Sequence, residues 1–291
     1  MVARRLAFVN FKGGVGKTSL SVNIAAALAL DLQKNVLLVD CDPQSNASIW
    51  LLGIRRWLQL RPEQSVCSMV QFPAPPIFDI VVKSVVQSDQ GAVIIRPLDL
   101  IPAVYDWLDA EPNAGPPPYI SFFQSLMSIE SNYDFIIFDC PPNLYWQAQC
   151  ALFSSTEIYV PCNPDELSRI GLDLLDRKLR QFQSDSRQVS RNISGYTFPI
   201  VRGIIFNAVN QSARTDSQDR ISEKVRNLKE QSSVFDPDSL VFQISVRQTV
   251  QAGQAVHEER PVILDRQKSR LREDYLTLAQ YIANLPVPRR G

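Results

Sequence analysis

Short apolar runs along the chain end repeatedly in a polar loop that leads into a helix-like stretch. Leu6–Asn10 (LAFVN) precedes a glycine loop and then Thr18–Leu30, an alanine-rich segment that reads as a helix. Val36–Asp40, Val93–Arg96, Leu98–Ile101, Phe135–Asp139, Ile158–Pro161, Gly203–Phe206 and Leu240–Ile244 supply the other strand candidates. Near-continuous Val/Ile/Leu runs suit strands covered on both faces, as parallel strands are. Their alternation with helical stretches predicts an α/β fold: a doubly wound, mostly parallel sheet with helices on both faces and ligands at the carboxyl ends of the strands. Near the end, Glu273–Leu285 places Tyr275, Leu278, Ile282 and Leu285 at helical spacing before Pro286 and Pro288, which predicts a last helix packed on the core.

Two proline clusters, Pro73–Pro76 and Pro116–Pro118, bracket the region where this alternation is weakest. They read as loops or an inserted excursion within one domain spanning residues 1–291, not as a linker. Hydrophobic residues make up 45% of the 291 and charged residues 21%, which excludes wholesale disorder and a coiled-coil rod. No apolar stretch approaches the ~20 residues of a membrane span, and the first residues read as a strand rather than a signal peptide. Five cysteines with no C-x-x-C pair predict reduced, packed side chains in a cytoplasmic protein, with no disulfide, zinc or iron–sulfur site.

The 30 basic and 30 acidic side chains cancel, yet they are unevenly spread. Between Pro97 and Ser168 there are ten acids and no lysine or arginine. Arg169, Arg177, Lys178, Arg180, Arg187 and Arg191 then cluster in one helical stretch, and Arg260, Arg266, Lys268, Arg270 and Arg272 precede the last helix. A neutral total thus hides a polarised chain.

The chemistry is concentrated in Phe11-Lys12-Gly13-Gly14-Val15-Gly16-Lys17-Thr18-Ser19, between the first strand and first helix. Glycines there let backbone N–H groups close around phosphate oxygens, and the helix that follows offers its positive end. Lys17 would reach the β/γ-phosphates, and the Thr18 hydroxyl would bind Mg²⁺. Phe11 stands where the first glycine of G-x-x-x-x-G-K-[ST] is usual, and a second lysine, Lys12, lies inside the loop.

That deviant loop resembles the ParA/MinD superfamily of P-loop ATPases, and other segments extend the resemblance. Asp40-Cys41-Asp42-Pro43-Gln44-Ser45-Asn46-Ala47 looks like its D-x-D-P-Q-x-N-A switch segment, Leu98–Ala103 like its strand ending in I-P-A, and Tyr133–Pro142 like its Walker B strand followed by D-x-P-P. The match is strong over residues 5–50 and 133–166, and thin over 53–95 and 180–240. D-P-Q-x-N and D-x-P-P point to the ParA, or partition, branch.

The resemblance implies a P-loop NTPase fold, ATP and Mg²⁺ as cofactors, and slow, partner-stimulated hydrolysis. It implies nucleotide contacts from Lys12, Gly13, Gly14, Val15, Gly16, Lys17, Thr18 and Ser19, with Thr18, Asp40 and Asp139 serving the metal. Lys12 would be the signature lysine that crosses an ATP-sandwich homodimer to the partner's phosphates, and Asp42 the group that orients or activates the attacking water. Lys12, Lys17 and Asp42 are therefore the expected catalytic residues. Asn207 is either a base contact or an ordinary turn residue, and Ser245–Arg247 is the matching later segment. The expected function is a nucleoid-associated ATPase that dimerises on ATP, binds DNA non-specifically and positions or segregates a plasmid, chromosome or protein cargo. A ParB-like or adaptor protein would stimulate hydrolysis.

Walker A begins at residue 11, so an N-terminal helix-turn-helix is not expected, and the Val-Pro-Arg-Arg-Gly tail does not resemble a membrane-binding helix. Three alternatives stay open: an ATP-dependent scaffold without DNA binding, a MinD-like membrane-associated ATPase and a nitrogenase-reductase-like redox protein. The last finds no cysteine pair at cluster-ligand spacing.

Overall fold

The computed structural model describes residues 2–71, 76–85, 98–109, 117–209, 216–242, 245–247, 249, 260–264 and 269–288. Among these residues seven parallel strands form one sheet in the order β3-β2-β4-β1-β5-β6-β7. They are β1 (Arg4–Phe8), β2 (Val36–Asp40), β3 (Leu98–Ile101), β4 (Phe135–Asp139), β5 (Glu157–Cys162), β6 (Ile200–Phe206) and β7 (Phe235–Val241). Among the described residues the α-helices are α1 (Lys17–Leu30), α2 (Asn46–Leu52), α3 (Ile54–Trp57), α4 (Pro118–Met127), α5 (Trp146–Ser154), α6 (Glu166–Ser190), α7 (Asp216–Gln231) and α8 (Arg270–Asn284).

Alternate strand residues feed two separate cores, as a period of two requires. Ala7, Leu37, Val39, Ile136, Phe138 and Val160 pack with α4, α5, α6 and α7. Leu6, Phe8, Val36, Leu38, Phe135 and Ile137 pack with α1 and α8 on the other face. The doubly wound expectation is borne out. Helix α1 is buried almost all round, which explains its alanine-rich sequence, and Tyr275, Leu278 and Ile282 of α8 are buried as their spacing predicts.

Several boundaries differ from expectation for identifiable reasons. β1 begins at Arg4, because Arg4 and Arg5 are buried with ion-pair partners, Glu157 and Glu130. Arg4 also donates to the Ile282 carbonyl at the end of α8 (2.6 Å), tying the last helix to the sheet. β7 starts five residues before the expected Leu240, and its Pro237 is tolerated because β7 is the sheet edge and its register against β6 shifts between Val201 and Gly203. Pro118 opens α4 rather than a loop, in the first-turn position where a missing N–H costs nothing. Val93–Arg96 lies outside the described residues, as does part of Leu240–Ile244. Within the excursion, Val66–Val70 is a buried 3₁₀ turn, and Val82 bridges Leu100 antiparallel at the β3 edge. All five cysteines are free and buried.

Candidate nucleotide site

The loop between β1 and α1 is shaped by groups distant in sequence. Asn10 donates through Nδ2 to the Pro161 carbonyl (2.6 Å), and its Oδ1 accepts the Lys12 N–H (2.9 Å). Gly14 and Gly16 have φ of +72° and +87°, where an L-residue is strained. A Cβ on Gly16 would lie 2.0 Å from Asn207 Nδ2. That amide donates to the Val15 carbonyl (3.0 Å), so Asn207 holds the loop backbone from the end of β6. No side chain caps α1 and no acid stands in its first turn. Its N–H groups and positive end are left for an anion. Gly13 lies in the loop itself, and Thr18 and Ser19 follow in the first turn of α1. Lys17 is buried, with Nζ 3.3 Å from the Lys12 carbonyl. Burial holds its pKa below the usual lysine value, against the pull of Asp139, Cys140 and Asp42.

Opposite the loop, Asp40 and Asp139 are register partners at the tips of β2 and β4. Asp40 is fully engaged: Oδ1 accepts the Asp42 N–H (3.1 Å), and Oδ2 accepts both the Ser48 N–H (2.8 Å) and the Ser48 hydroxyl (2.6 Å). Burial, then Asp139, raises its pKa well above the ordinary carboxylate range against the Ser48 bonds. Asp139 differs, because neither of its buried oxygens has a hydrogen-bond partner. Burial pushes it up to about 7, with the Thr18 and Ser21 hydroxyls near enough to draw it back. Asp42 accepts the Gln44 N–H (2.9 Å), and burial raises its pKa against that bond and Lys17.

An orphaned buried carboxylate beside a second one is an arrangement that a cation would compensate. Among the described residues no group of three or more His, Cys, Asp or Glu could hold a metal by itself. Mg²⁺ keeps several waters and shares its shell with phosphates, so Asp139 with Thr18 fits it, and Asp40 fits through water because its own oxygens are occupied.

Lys12 Nζ lies 2.5 Å from Asp165 Oδ2. Asp165 caps α6 by accepting the Ser168 N–H (2.7 Å), and these two bonds overcome partial burial to hold its pKa below the usual value. Ser245–Arg247 runs beside β6: Val246 N–H reaches the Phe206 carbonyl and Val209 N–H the Val246 carbonyl. Arg247 is spent on Asp274, with two bonds of 2.6 Å.

The loop and the three acids are legible in the sequence, whereas the roles of Asn10, Ser48 and Asp165 emerge only in the fold. Asn10 and Asp165 act across more than 150 residues, which leaves no local trace. Ser48, eight residues after Asp40, had a signal in its hydroxyl just inside α2.

The basic clusters do not share one face. Buried residues of α6 belong to one core and those of α8 to the other. Along α6, Arg169, Arg177, Arg180, Arg187 and Arg191 fall within a sector of about 80° at 3.6 residues per turn. Arg169 pairs with Glu166, and Arg180 with Asp176. In the second cluster Arg272 pairs with Asp31, and Arg266 and Lys268 lie outside the described residues.

An AAA-domain family profile matches residues 3–191. The chain is 30% identical over 280 residues to the sporulation initiation inhibitor protein Soj of Bacillus subtilis, covering 96% of this chain and 97% of that protein. It is 26% identical over 290 residues to the chromosome partitioning protein ParA of Myxococcus xanthus, covering 99% and 90%. Among solved structures it resembles McdA of Cyanothece without nucleotide (TM-score 0.71, 16% identity, 96% and 98% covered) and with ATP (TM-score 0.70, 17% identity, 98% of each). With its deviant loop, paired aspartates and parallel sheet, the chain belongs to the ParA/MinD superfamily of P-loop ATPases, in the ParA branch.

Proposed function

We propose that the chain is a Mg²⁺-dependent ATP hydrolase that dimerises around ATP, binds DNA without sequence preference and positions or segregates a cargo, with hydrolysis slow until a partner protein stimulates it. The observation that carries the reading is Asp139, a buried carboxylate without partners, set between the phosphate loop and Asp40. Residues 1–291 act as one unit in this scheme.

Bound Mg²⁺ would neutralise phosphate charge. The loop N–H groups and α1 would hold the phosphate oxygens, and Lys17, already dehydrated, would interact strongly with them. Asp42 would orient the attacking water. Lys12, released from Asp165, would reach the phosphates of the second subunit and add a cation in trans. Asn207, holding Val15, would place the loop and border the base.

Support for DNA binding comes from the arginine sector of α6, whose exposed Arg177, Arg187 and Arg191 lack an ion-pair partner among the described residues. Such cations neutralise phosphates without reading bases. The pairing of Arg169 and Arg180 favours a second reading, an ATP-dependent scaffold that holds a protein instead. Among the described residues no helix is long and apolar enough to cross a membrane. Hydrolysis and sedimentation measured together test the enzyme: Asp42→Ala should bind ATP, turn over slowly and accumulate as dimer. Wild-type turnover in Lys17→Ala would overturn the ATPase.

A further inference from the structure

We propose that Trp107 is a positioning residue for hydrolysis: its indole N–H holds the peptide between Cys41 and Asp42, and so fixes where Asp42 meets the attacking water. This rests on the reading of Asp42 above and adds the group that aims it.

Both polar groups of the Cys41–Asp42 peptide are occupied. Its N–H, that of Asp42, donates to Asp40 Oδ1 (3.1 Å), and its carbonyl accepts the Trp107 Nε1 proton (3.2 Å). One peptide earlier, the Cys41 N–H donates to the Asp139 carbonyl (2.9 Å), which registers the segment on β4. A planar peptide held through both its N–H and its C=O has one orientation, and that orientation sets the direction of the Asp42 side chain. Without the indole, the bond to Asp40 alone leaves the plane free to rock about its two flanking dihedrals.

Trp107 is itself held from several sides. It is fully buried, as tryptophan seldom is, and a donor-only indole N–H placed there needs an acceptor. Gln147, in the first turn of α5, donates to the Trp107 carbonyl (3.2 Å), and the Trp146 ring meets the Trp107 ring edge-on, 4.6 Å between centroids. Upstream, the Ala103 N–H donates to Ser48 Oγ (2.8 Å), whose own proton goes to Asp40. The Ala103 carbonyl accepts the Trp57 indole N–H (2.9 Å). Three of the four tryptophans of the chain thus form or hold residues 103–107.

That segment reaches Asp40 through Ser48 and Asp42 through Trp107, while α5, which follows Asp139 and its two prolines, holds it from the far side. Among the described residues no hydrogen bond joins it to the phosphate loop, so loosening it should spare nucleotide binding and disturb the aim of Asp42.

The test is a set of substitutions with two readouts. Trp107→Phe keeps a ring in the core and removes the N–H. It should lower kcat for ATP about tenfold while the ATP Kd, measured by calorimetry, moves less than about twofold. In the nucleotide-free chain the Asp42 amide should exchange with deuterium about tenfold faster, read by NMR. Gln147→Leu keeps the indole and removes the amide that holds its backbone. It should move both readouts the same way by about threefold, and it decides the matter if Trp107→Phe does not fold. Phe122→Leu, a packing loss in the same core without a hydrogen bond, should move neither. In an Asp42→Ala background Trp107→Phe should cost kcat nothing further, because a positioning residue acts through the group it positions. A kcat loss that multiplies on that background, an equal loss in Phe122→Leu, or unchanged exchange at Asp42 overturns the proposal. If the wild-type chain does not hydrolyse ATP, the hydrolase reading falls, and the exchange measurement alone decides whether Trp107 holds the peptide.

Discussion

Lys12 Nζ lies 2.5 Å from Asp165 Oδ2 of the same subunit, so the lysine that would serve a second nucleotide is held at home. Both side chains are about one-third exposed (32% and 39%), which limits the pair to roughly 1 kcal/mol or less. A latch of that size can be opened by ATP and a second subunit. Asp165→Asn, which keeps an oxygen for the α6 cap, should strengthen ATP-dependent dimerisation about two- to fivefold in sedimentation velocity. Lys12→Ala should keep nucleotide binding and lose the ATP-dependent dimer. An unchanged dimer in both variants would mean that Lys12 serves only its own subunit.

Gly16 tests the loop from the steric side. Alanine there meets Asn207 Nδ2 at 2.0 Å and must hold a φ of +87°, which by itself costs about 1–2 kcal/mol. Gly16→Ala should abolish nucleotide binding, measured by calorimetry, while the sheet stays folded by circular dichroism. Adding Asn207→Ala removes the clash but leaves the strain and the orphaned Val15 carbonyl, so binding should recover only in part. Full recovery would show that Asn207 has no role in holding the loop.

The pKa of Asp139, pushed up to about 7, makes stability pH-dependent without Mg²⁺ or nucleotide. The folded chain keeps a proton that the unfolded chain releases near pH 4, so the contribution of Asp139 to stability falls as pH rises from about 4 to about 7 and is constant beyond. Asp139→Asn should melt higher than wild type at pH 8 and alike at pH 4.5 in thermal scans. Asp40, raised chiefly by its burial, leaves a residual slope of the same sign. A lower melting temperature for Asp139→Asn at pH 8 would contradict this.

What could be read from the sequence was whatever local pattern encodes. The Val/Ile/Leu runs of β2, β3 and β4 matched strand bounds because strands covered on both faces are built mostly from such residues. Arg4 and Arg5 hid the start of β1, since nothing nearby reveals Glu157 and Glu130 as their partners. The phosphate loop was legible because its glycines, lysine and hydroxyl are contiguous. The Lys12–Asp165 pair, the Asn10 and Asn207 braces and the separation of the two basic clusters are products of the fold, and only the sheet order creates them.

A nucleotide switch that would control DNA holding is tested directly by one titration. Each phosphate neutralised contributes about 0.9 to the slope of log affinity against log salt, so one subunit with a few free arginines on α6 should bind weakly and a dimer with two such sectors much better. Anisotropy on two unrelated duplexes, at two salt concentrations, should show tight, salt-sensitive and sequence-indifferent binding with a slowly hydrolysed ATP analogue, weak binding with ADP, and a loss in Arg187→Ala/Arg191→Ala. Equal affinity in the two nucleotide states, or no binding at low salt in either, would contradict it.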